Sequence, residues 1–133
     1  METKKVALIV FYDRHKRILM QDRKGISKRG EEWGYFGGKI EEGETPEEAV
    51  VRETKEELDF DLKDHRFIGI FKNKVSDDFI VERYVFISPL EEKLSKFRQL
   101  EGSGMKLFSI EEAKKVKMIK GDDLVLNELD KIL

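Results

Sequence analysis

The chain has 133 residues, a formal net charge of −2 and charged residues at 41% of its positions. This length predicts a single domain over residues 1–133 that can bury a hydrophobic core. The absence of cysteine excludes disulfides and thiolate metal sites, and the balance of charge argues against nucleic-acid binding. Because no segment has the length of a membrane span or the features of a signal peptide, we expect a cytoplasmic protein without membrane contact.

The N-terminal segment is predicted to contribute two strands of one sheet. Val6–Tyr12 is rich in β-branched and aromatic residues, and Arg17–Gln21 follows it after a polar turn. Polar residues over Gly25–Glu32 then predict a loop.

A glycine-rich segment lies between this loop and the acidic centre of the chain. Gly37 and Gly38 are expected in a second loop, where glycine lets the backbone approach a ligand closely. Trp33, Tyr35 and Phe36 are expected to anchor that loop, with at least two of the three in the core.

The acidic centre contains a helix with a well-defined start. Thr45 is predicted to be the N-cap, Pro46 is the first helical residue, and Glu48 at the third position completes a capping box. The pattern predicts that the helix ends near Leu58.

The remainder of the chain is predicted to contribute a hairpin, a short strand and two helices. The segments are Arg66–Lys74 and Phe79–Ser88 for the hairpin, Met105–Ser109 for the strand, a brief helix capped by Ser109 that ends at Ala113, and an amphipathic helix over Asp122–Leu133. Strands and helices mix without a strict βαβ period, so we expect an α/β (α+β) fold with a mixed β-sheet sandwiched between helices as α/β/α layers.

The central helix is predicted to have a carboxylate face and an apolar face. The carboxylate face comprises Glu53, Glu56 and Glu57, and the apolar face comprises Val51, Thr54 and Leu58. Like charges at this spacing repel one another on a helix, and a divalent cation reverses the sign of that interaction. Oxygen ligands of this kind suit Mg²⁺ or Mn²⁺, whereas the simpler interpretation is a solvent-exposed charged face.

The spacing of this segment resembles a known signature. Gly38, five residues, Glu44, seven residues and then Arg52-Glu53-Thr54-Lys55-Glu56-Glu57 is similar to the Nudix box, here over residues 38–60, which is the signature of Nudix hydrolases. Thr54 stands where an aliphatic residue is usual. Asp59 stands where the box has glycine, at a helix C-cap that favours a left-handed backbone, which aspartate tolerates.

The resemblance extends over nearly the whole chain and carries expectations for fold and reaction. It implies the Nudix fold and the Mg²⁺-dependent hydrolysis of a nucleoside diphosphate linked to another group. The substrate expected as a partner is therefore a small nucleotide, and a monomer and a homodimer remain open.

Site roles follow from the resemblance residue by residue. It implies that Glu56, Glu57 and the carbonyl of Gly38 are metal ligands, and that Glu53 is either a ligand or the general base. It further implies that two residues, Arg52 and Glu44, pair to hold the loop against the helix and orient Glu53.

Residues outside the box complete the predicted site. Glu101 is a candidate further metal ligand, with a turn residue as the equal alternative. Arg23 and Lys39 are candidates for contact with phosphate oxygens. Asp122 and Asp123 precede the last helix; one is expected to cap that helix and the other to face the edge of a purine base.

The substrate remains open within this reaction class. The minimal size of the chain favours a nucleoside triphosphate pyrophosphohydrolase of the MutT type, which acts on oxidised purine nucleotides such as 8-oxo-dGTP and releases the monophosphate. The alternatives are hydrolysis of ADP-ribose, of dinucleoside polyphosphates or of nucleotide sugars. A non-enzymatic alternative is a nucleotide-sensing domain, which should have lost one of the box glutamates.

Overall fold

The computed structural model describes residues 1–133 and contains seven strands and three α-helices. The strands are β1 (Glu2–Tyr12), β2 (Ile18–Asp22), β3 (Trp33–Gly34), β4 (Phe36–Lys39), β5 (Arg66–Ser76), β6 (Phe79–Pro89) and β7 (Met105–Phe108). The helices are α1 (Pro46–Leu58), α2 (Ile110–Ala113) and α3 (Asp122–Ile132), with a 3₁₀ turn over Lys93–Lys96 between β6 and β7.

Strand β1 is the central strand of the mixed sheet, whose main order is β3-β2-β1-β6-β5. On one side β1 runs parallel to β6 over its whole length. On the other side its first half pairs with β4, from Val6 opposite Lys39 to Ile9 opposite Phe36, and its end pairs with β2 at Tyr12. Because β1 changes partner part-way along, β4 and β2 share one edge of it.

The helices cover both faces of the sheet, which confirms the predicted α/β/α layers. One core cluster joins Ala7, Ile9 and Phe11 of β1 to Val50 and Leu58 of α1. A second cluster joins the opposite face of the sheet to α2 and α3, through Val10, Val85, Ala113, Val125 and Leu129. The two clusters use alternate residues of β1, as the two-residue repeat of a strand requires.

Helix α1 confirms the predicted capping pattern. Thr45 accepts a hydrogen bond from the backbone N–H of Glu48, whose side chain accepts one from the N–H of Thr45. The apolar face is rotated from the prediction, since Val50 is fully buried and Val51 only half-buried. Thr54 is fully buried because its hydroxyl donates to the carbonyl of Val50 at 2.7 Å, which satisfies the polar group within the core.

The predicted loop at Gly37 and Gly38 is wrong, because both residues belong to strand β4. Gly37 has a φ of +132°, and a Cβ there would collide with the carbonyl of Ala7 on β1. Glycine at this position therefore allows two strands to approach each other closely. Because glycine has no side chain, the strand lacks the hydrophobic pattern from which it could have been predicted. Tyr35 and Phe36 are buried, as expected.

The other differences lie at the ends of the elements. β1 begins at Glu2 rather than Val6, because exposed polar residues at its start are held in the sheet by pairing with β6. The hairpin strands β5 and β6 likewise extend beyond the predicted bounds. None of the helices combines the length and apolar character needed to cross a membrane.

Asp59 ends α1 with φ 51° and ψ 42°, the left-handed conformation that L-residues other than glycine adopt at a cost. We expect Asp59→Gly to raise the free energy of unfolding by about 0.5–1 kcal/mol, since glycine adopts this conformation without strain. The exposed ion pair that it removes, to Lys55, contributes little. Chemical denaturation followed by circular dichroism measures the change.

Asp61→Gly is the matched control, because Asp61 also contacts Lys55 and does not have a positive φ. We expect it to lower stability slightly through the entropy of the unfolded chain. Equal effects of the two substitutions would contradict the assignment of strain to residue 59.

Candidate functional site

The three box glutamates of α1 differ sharply in exposure. Glu57 is 1% exposed, and its Oε1 accepts a hydrogen bond from the backbone N–H of Gly37 at 2.7 Å. Burial raises the pKa of Glu57 to about 8, with contributions from the charges of Glu101 and Glu53, against the lowering effect of the Gly37 bond. Glu56 lies at the exposed edge with 56% of its side chain accessible. The helix therefore presents a gradient from buried to exposed carboxylate rather than one solvated face.

Glu53 lies against the backbone of strand β4. A Cβ on Gly38 would approach the Glu53 carboxyl atoms to 2.6 Å, so only glycine leaves room for that carboxylate. Arg52 donates from Nη1 to Glu53 Oε1 at 3.0 Å. Burial raises the pKa of Glu53, and the nearby Arg52 opposes this effect.

The predicted pair between Arg52 and Glu44 is confirmed and has a two-pronged geometry. Nε and Nη2 of Arg52 donate to the two oxygens of Glu44 at 2.7 and 2.9 Å, and Nη2 also donates to the carbonyl of Lys39 at 2.9 Å. The guanidinium lowers the pKa of Glu44 to about 2. Because Nη1 reaches both Glu53 and Glu56, Arg52 joins the end of β4, the loop before α1 and the carboxylates of α1.

Glu101 approaches the same carboxylates from the segment between the 3₁₀ turn and β7. Its charge raises the pKa of both Glu57 and Glu53, so its side chain lies near them. The backbone carbonyl of Glu101 accepts hydrogen bonds from the side chains of Gln21 and Gln99. The backbone N–H of the preceding residue, Leu100, donates to the carbonyl of Glu57. The structure thus brings Glu101 to the cluster, and its role as a ligand stays a prediction.

A cavity of about 260 Å³ lies on the other side of β4 from α1. Its apolar wall is formed by side chains from β1, β5, β6 and the segment before α3, namely Val6, Leu8, Val75, Phe79, Val81 and Ile119. Gly37 and Gly38 also line it, so the cavity and the glutamate cluster share β4 as a common wall.

Cationic side chains surround the mouth of the cavity. Lys4 and Arg29 lie over the ring of Phe79 at 4.2 and 4.3 Å from its centroid, and Lys28 is also at the lining. Arg23 lines the cavity as well, where its Nε donates to buried Glu31 at 2.9 Å. This arrangement combines an apolar interior with a positive rim.

The structure separates the two predicted phosphate-contact residues. Arg23 lies at the cavity with Gly37 and Gly38. Lys39 has an exposed side chain that does not line this cavity, and it contributes only its carbonyl to Arg52.

The predicted cap of α3 is wrong. The N-cap is Gly121, with a φ of +99°, and no side chain caps the helix. Asp122 is instead buried at the cavity, where Arg83 Nε donates to its Oδ1 at 2.8 Å. Asp123 is exposed and does not line the cavity, so the structure brings one of the two aspartates to the site.

The predicted site residues did not include most of the cavity lining, in particular Glu31, Phe79 and Arg83. A signal for Arg83 exists in the sequence, because it lies on the same face of β6 as the apolar residues Val81 and Val85, where a charge is unexpected. No comparable local pattern marks Glu31, which lies in a polar segment and is buried by its contact with Arg23.

Comparisons with known proteins agree with this fold and show the family. The model described as NUDIX domain matches residues 2–129, so the chain belongs to the Nudix family. An 8-oxo-dGTP diphosphatase from Proteus vulgaris is 29% identical over 91 residues, which make up 68% of this chain and 81% of that protein.

Two solved structures show the same fold. The solution structure of the E. coli ORF135 protein has a TM-score of 0.77 at 20% identity, and the match covers 99% of this chain and 91% of that one. The NUDIX domain of Shewanella oneidensis NrtR complexed with ADP ribose has a TM-score of 0.74 at 14% identity, covering 99% and 89%. At these identities the structural likeness shows the fold alone.

The family assignment defines the chain as a Nudix pyrophosphohydrolase, and enzymes of this family generally use divalent metal ions. The residues present fit such an ion in their chemistry. Glu53, Glu57 and Glu101 are hard oxygen donors. The charge of Glu101 raises the pKa of both Glu53 and Glu57, and a cation would relieve that repulsion. No three Asp, Glu or His side chains form a ready-made metal site, so the carboxylates alone do not complete one.

The hydrogen bonds of Arg52 allow a test of its role in holding the loop before α1. Arg52→Lys keeps the charge but cannot form the paired bonds to Glu44 together with the bond to Lys39. We expect the melting temperature to fall by several degrees, because the loop before α1 loses its attachment. Differential scanning calorimetry measures the change.

Arg17→Lys provides the matched control for this substitution. Arg17 also pairs through Nε with an aspartate, Asp13, at 2.7 Å, but in a half-exposed turn away from α1. We expect little change there, since exposed ion pairs contribute little. A shift as large as that of the Arg52 variant would refute a special role of Arg52 in the fold.

Proposed function

We propose that the protein is a Mg²⁺-dependent nucleoside triphosphate pyrophosphohydrolase that releases the nucleoside monophosphate. The observation that carries this proposal is the wall shared by the apolar cavity and the glutamate cluster. Glu57 is bonded to the N–H of Gly37, Glu53 lies against Gly38, and both glycines line the cavity. A nucleotide whose base enters the cavity would extend its phosphates across β4 toward the glutamates.

The charges around the cavity support a phosphorylated ligand. Lys4, Lys28 and Arg29 stand at the lining without a carboxylate partner, whereas Arg23 is paired to Glu31. Three free cations beside an apolar interior suit a planar base joined to an anionic chain, because phosphate oxygens accept from lysine and arginine.

The carboxylates are assigned roles by position. Mg²⁺ held by Glu56, Glu57 and the carbonyl of Gly38, with Glu101 as a further candidate, would neutralise charge on the phosphate oxygens and activate water. Glu53 is the proposed general base, because it is half-buried and Arg52 holds its carboxylate in place. Glu44 fixes Arg52 by two hydrogen bonds and acts through it.

The relatives favour an oxidised purine nucleotide as the substrate. The protein from Proteus vulgaris carries the name 8-oxo-dGTP diphosphatase, and the cavity is apolar with a carboxylate, Asp122, at its lining. ADP-ribose is the second candidate, because the NrtR domain of the same fold is complexed with it. A sensor without turnover is disfavoured because every glutamate of the box is present.

A panel of nucleotides tests the proposal directly. 8-oxo-dGTP, dGTP, ADP-ribose, a diadenosine polyphosphate and a nucleotide sugar are each incubated with the protein, with Mg²⁺ present or chelated, and monophosphate formation is measured. We expect triphosphates to be cleaved fastest and only with Mg²⁺. Faster cleavage of ADP-ribose would make ADP-ribose the preferred substrate in place of a triphosphate. Binding of nucleotides without any turnover would favour the sensor.

Glu53→Gln tests the general base. It keeps the shape of the side chain and removes the proton acceptor, so we expect kcat to fall by about 10²-fold or more with the fold intact. Glu42→Gln is the control, because Glu42 is an exposed residue of the same acidic segment without a hydrogen bond or ion pair. A kcat for Glu53→Gln within a few-fold of the control would rule out the assignment.

Glu57→Gln tests the metal ligand through stability rather than turnover. Gln can still accept from Gly37, while the cost of burying a charge, or of binding a proton to neutralise it, disappears. We therefore expect a higher melting temperature without metal at neutral pH. A metal ion at a free concentration of 100 times its Kd raises the free energy of unfolding by about 2.7 kcal/mol, and this gain should be largely lost in the variant. Differential scanning fluorimetry over a Mg²⁺ titration measures both effects.

Glu56→Gln separates burial from ligation. Glu56 is mostly exposed, so its variant should lose Mg²⁺ affinity without the gain in metal-free stability. If Glu56→Gln and Glu57→Gln both keep the wild-type response to Mg²⁺, the cluster is not a metal site.

A further inference from the structure

Arg83 is a fully buried arginine at the floor of the cavity, with 1% of its surface exposed. It uses all three nitrogens of its guanidinium. Nε donates to Asp122 Oδ1 at 2.8 Å, Nη2 donates to the carbonyl of Lys120 at 2.8 Å, and Nη1 donates to the side chain of Asn73. The residue thereby joins β5, β6 and the start of α3.

The neighbouring residues hold Asp122 in one position. Gly121 lies between Lys120 and Asp122 with a φ of +99°, and a side chain there would collide with Asn73. Tyr35 donates its hydroxyl to the backbone carbonyl of Asp122 at 2.9 Å. The main chain of Asp122 and one oxygen of its side chain are therefore both fixed.

A purely structural role explains this network poorly. A buried ion pair contributes little net stability compared with apolar side chains of similar volume, because both charges lose their hydration. The neighbouring residues of the same strand phase, Val81 and Val85, are apolar. A charged pair that also lines the cavity points to recognition of a ligand.

Asp122 presents its remaining acceptor capacity to the cavity. Oδ1 accepts a hydrogen bond from Arg83. Oδ2 has no hydrogen-bond partner in the protein and is accessible to solvent. A carboxylate has about four lone-pair sites and no hydrogen to donate, so Asp122 offers a ligand only hydrogen-bond acceptors. Burial raises the pKa of Asp122 and the charge of Arg83 opposes this effect. The resulting pKa of about 6 leaves the group mostly ionised at neutral pH.

We propose that Arg83 is a positioning residue that sets the base preference of the enzyme by holding Asp122 as an ionised acceptor. The cavity then selects a base whose edge carries a ring N–H beside an amino group, as guanine and its oxidised form do. It rejects an edge with a ring nitrogen acceptor, as in adenine, because two lone pairs would face each other. This inference rests on the proposed function for its substrate class.

Binding of monophosphates tests the inference separately from turnover. The Kd values of dGMP and dAMP are measured by calorimetry, and kcat/KM is measured for dGTP and dATP. We expect wild type to favour the guanine nucleotide by about 10²-fold, as a site built on a buried polar contact discriminates strongly. Failure of turnover with this binding ratio intact would overturn the proposed function and leave the inference supported.

Arg83→Gln removes the positive charge and tests the arginine itself. We expect the guanine-to-adenine ratio to fall at least about tenfold, mainly through Kd and KM, because Asp122 can then take up a proton and donate to an acceptor. The ratio is measured on one sample, so a loss of folded protein does not change it. Arg17→Gln, at the exposed pair with Asp13, is the matched control and should keep the wild-type ratio.

Asp122→Asn supplies a second variant for the case in which Arg83→Gln does not fold. The amide can still accept from Arg83 with its oxygen and then presents a donor to the cavity, so the ratio should fall or invert. The proposal is overturned if wild type binds the two monophosphates equally or not at all, if folded Arg83→Gln keeps a ratio within twofold of wild type, or if Asp122→Asn does.

Discussion

The hydrogen bond from the N–H of Gly37 to the carboxylate of Glu57 is the contact on which the site depends. It joins β4 to α1, and both residues are closely constrained by their surroundings. Glu57 is buried without a cation in contact, and Gly37 has no room for a side chain against β1. Because β4 is fixed in this way, the glutamates lie on one side of a single extended strand and the cavity lies on the other. The phosphates and the base of the proposed nucleotide would therefore be held by two different surfaces.

The buried acidic residues fall into two groups according to their partners. Glu31 and Asp122 are each bonded to an arginine, Arg23 and Arg83 respectively, at 2.9 and 2.8 Å. Glu57 has no such partner, and burial raises its pKa to about 8. A buried carboxylate without a cation is unfavourable. The unpaired glutamate is therefore the group that would gain most from the proposed metal ion, whereas the two carboxylates at the cavity are already compensated by arginine.

Arg52 and Arg83 show how the same side chain performs two tasks in one small domain. Arg52 is partly exposed and joins the loop before α1 to β4 and the helix carboxylates, so its contribution is to the shape of the catalytic edge. Arg83 is enclosed by three elements and donates to Asp122, and we propose that it keeps that carboxylate ionised. The planar guanidinium makes both arrangements possible, because its fixed donors satisfy several acceptors in different directions.

The sequence determined the helix α1, its capping box, its left-handed end at Asp59 and the spacing of the glutamates, because each depends on residues within a few positions of one another. It also determined the layered architecture through the order in which predicted strands and helices follow one another. Only the tertiary structure decided that Gly37 lies in a strand, that Asp122 is bonded to Arg83, and that Asp123 and Lys39 do not line the cavity. Those features arise from contacts between residues far apart in the chain, where burial and charge pairing are set by the approach of whole elements rather than by local preference.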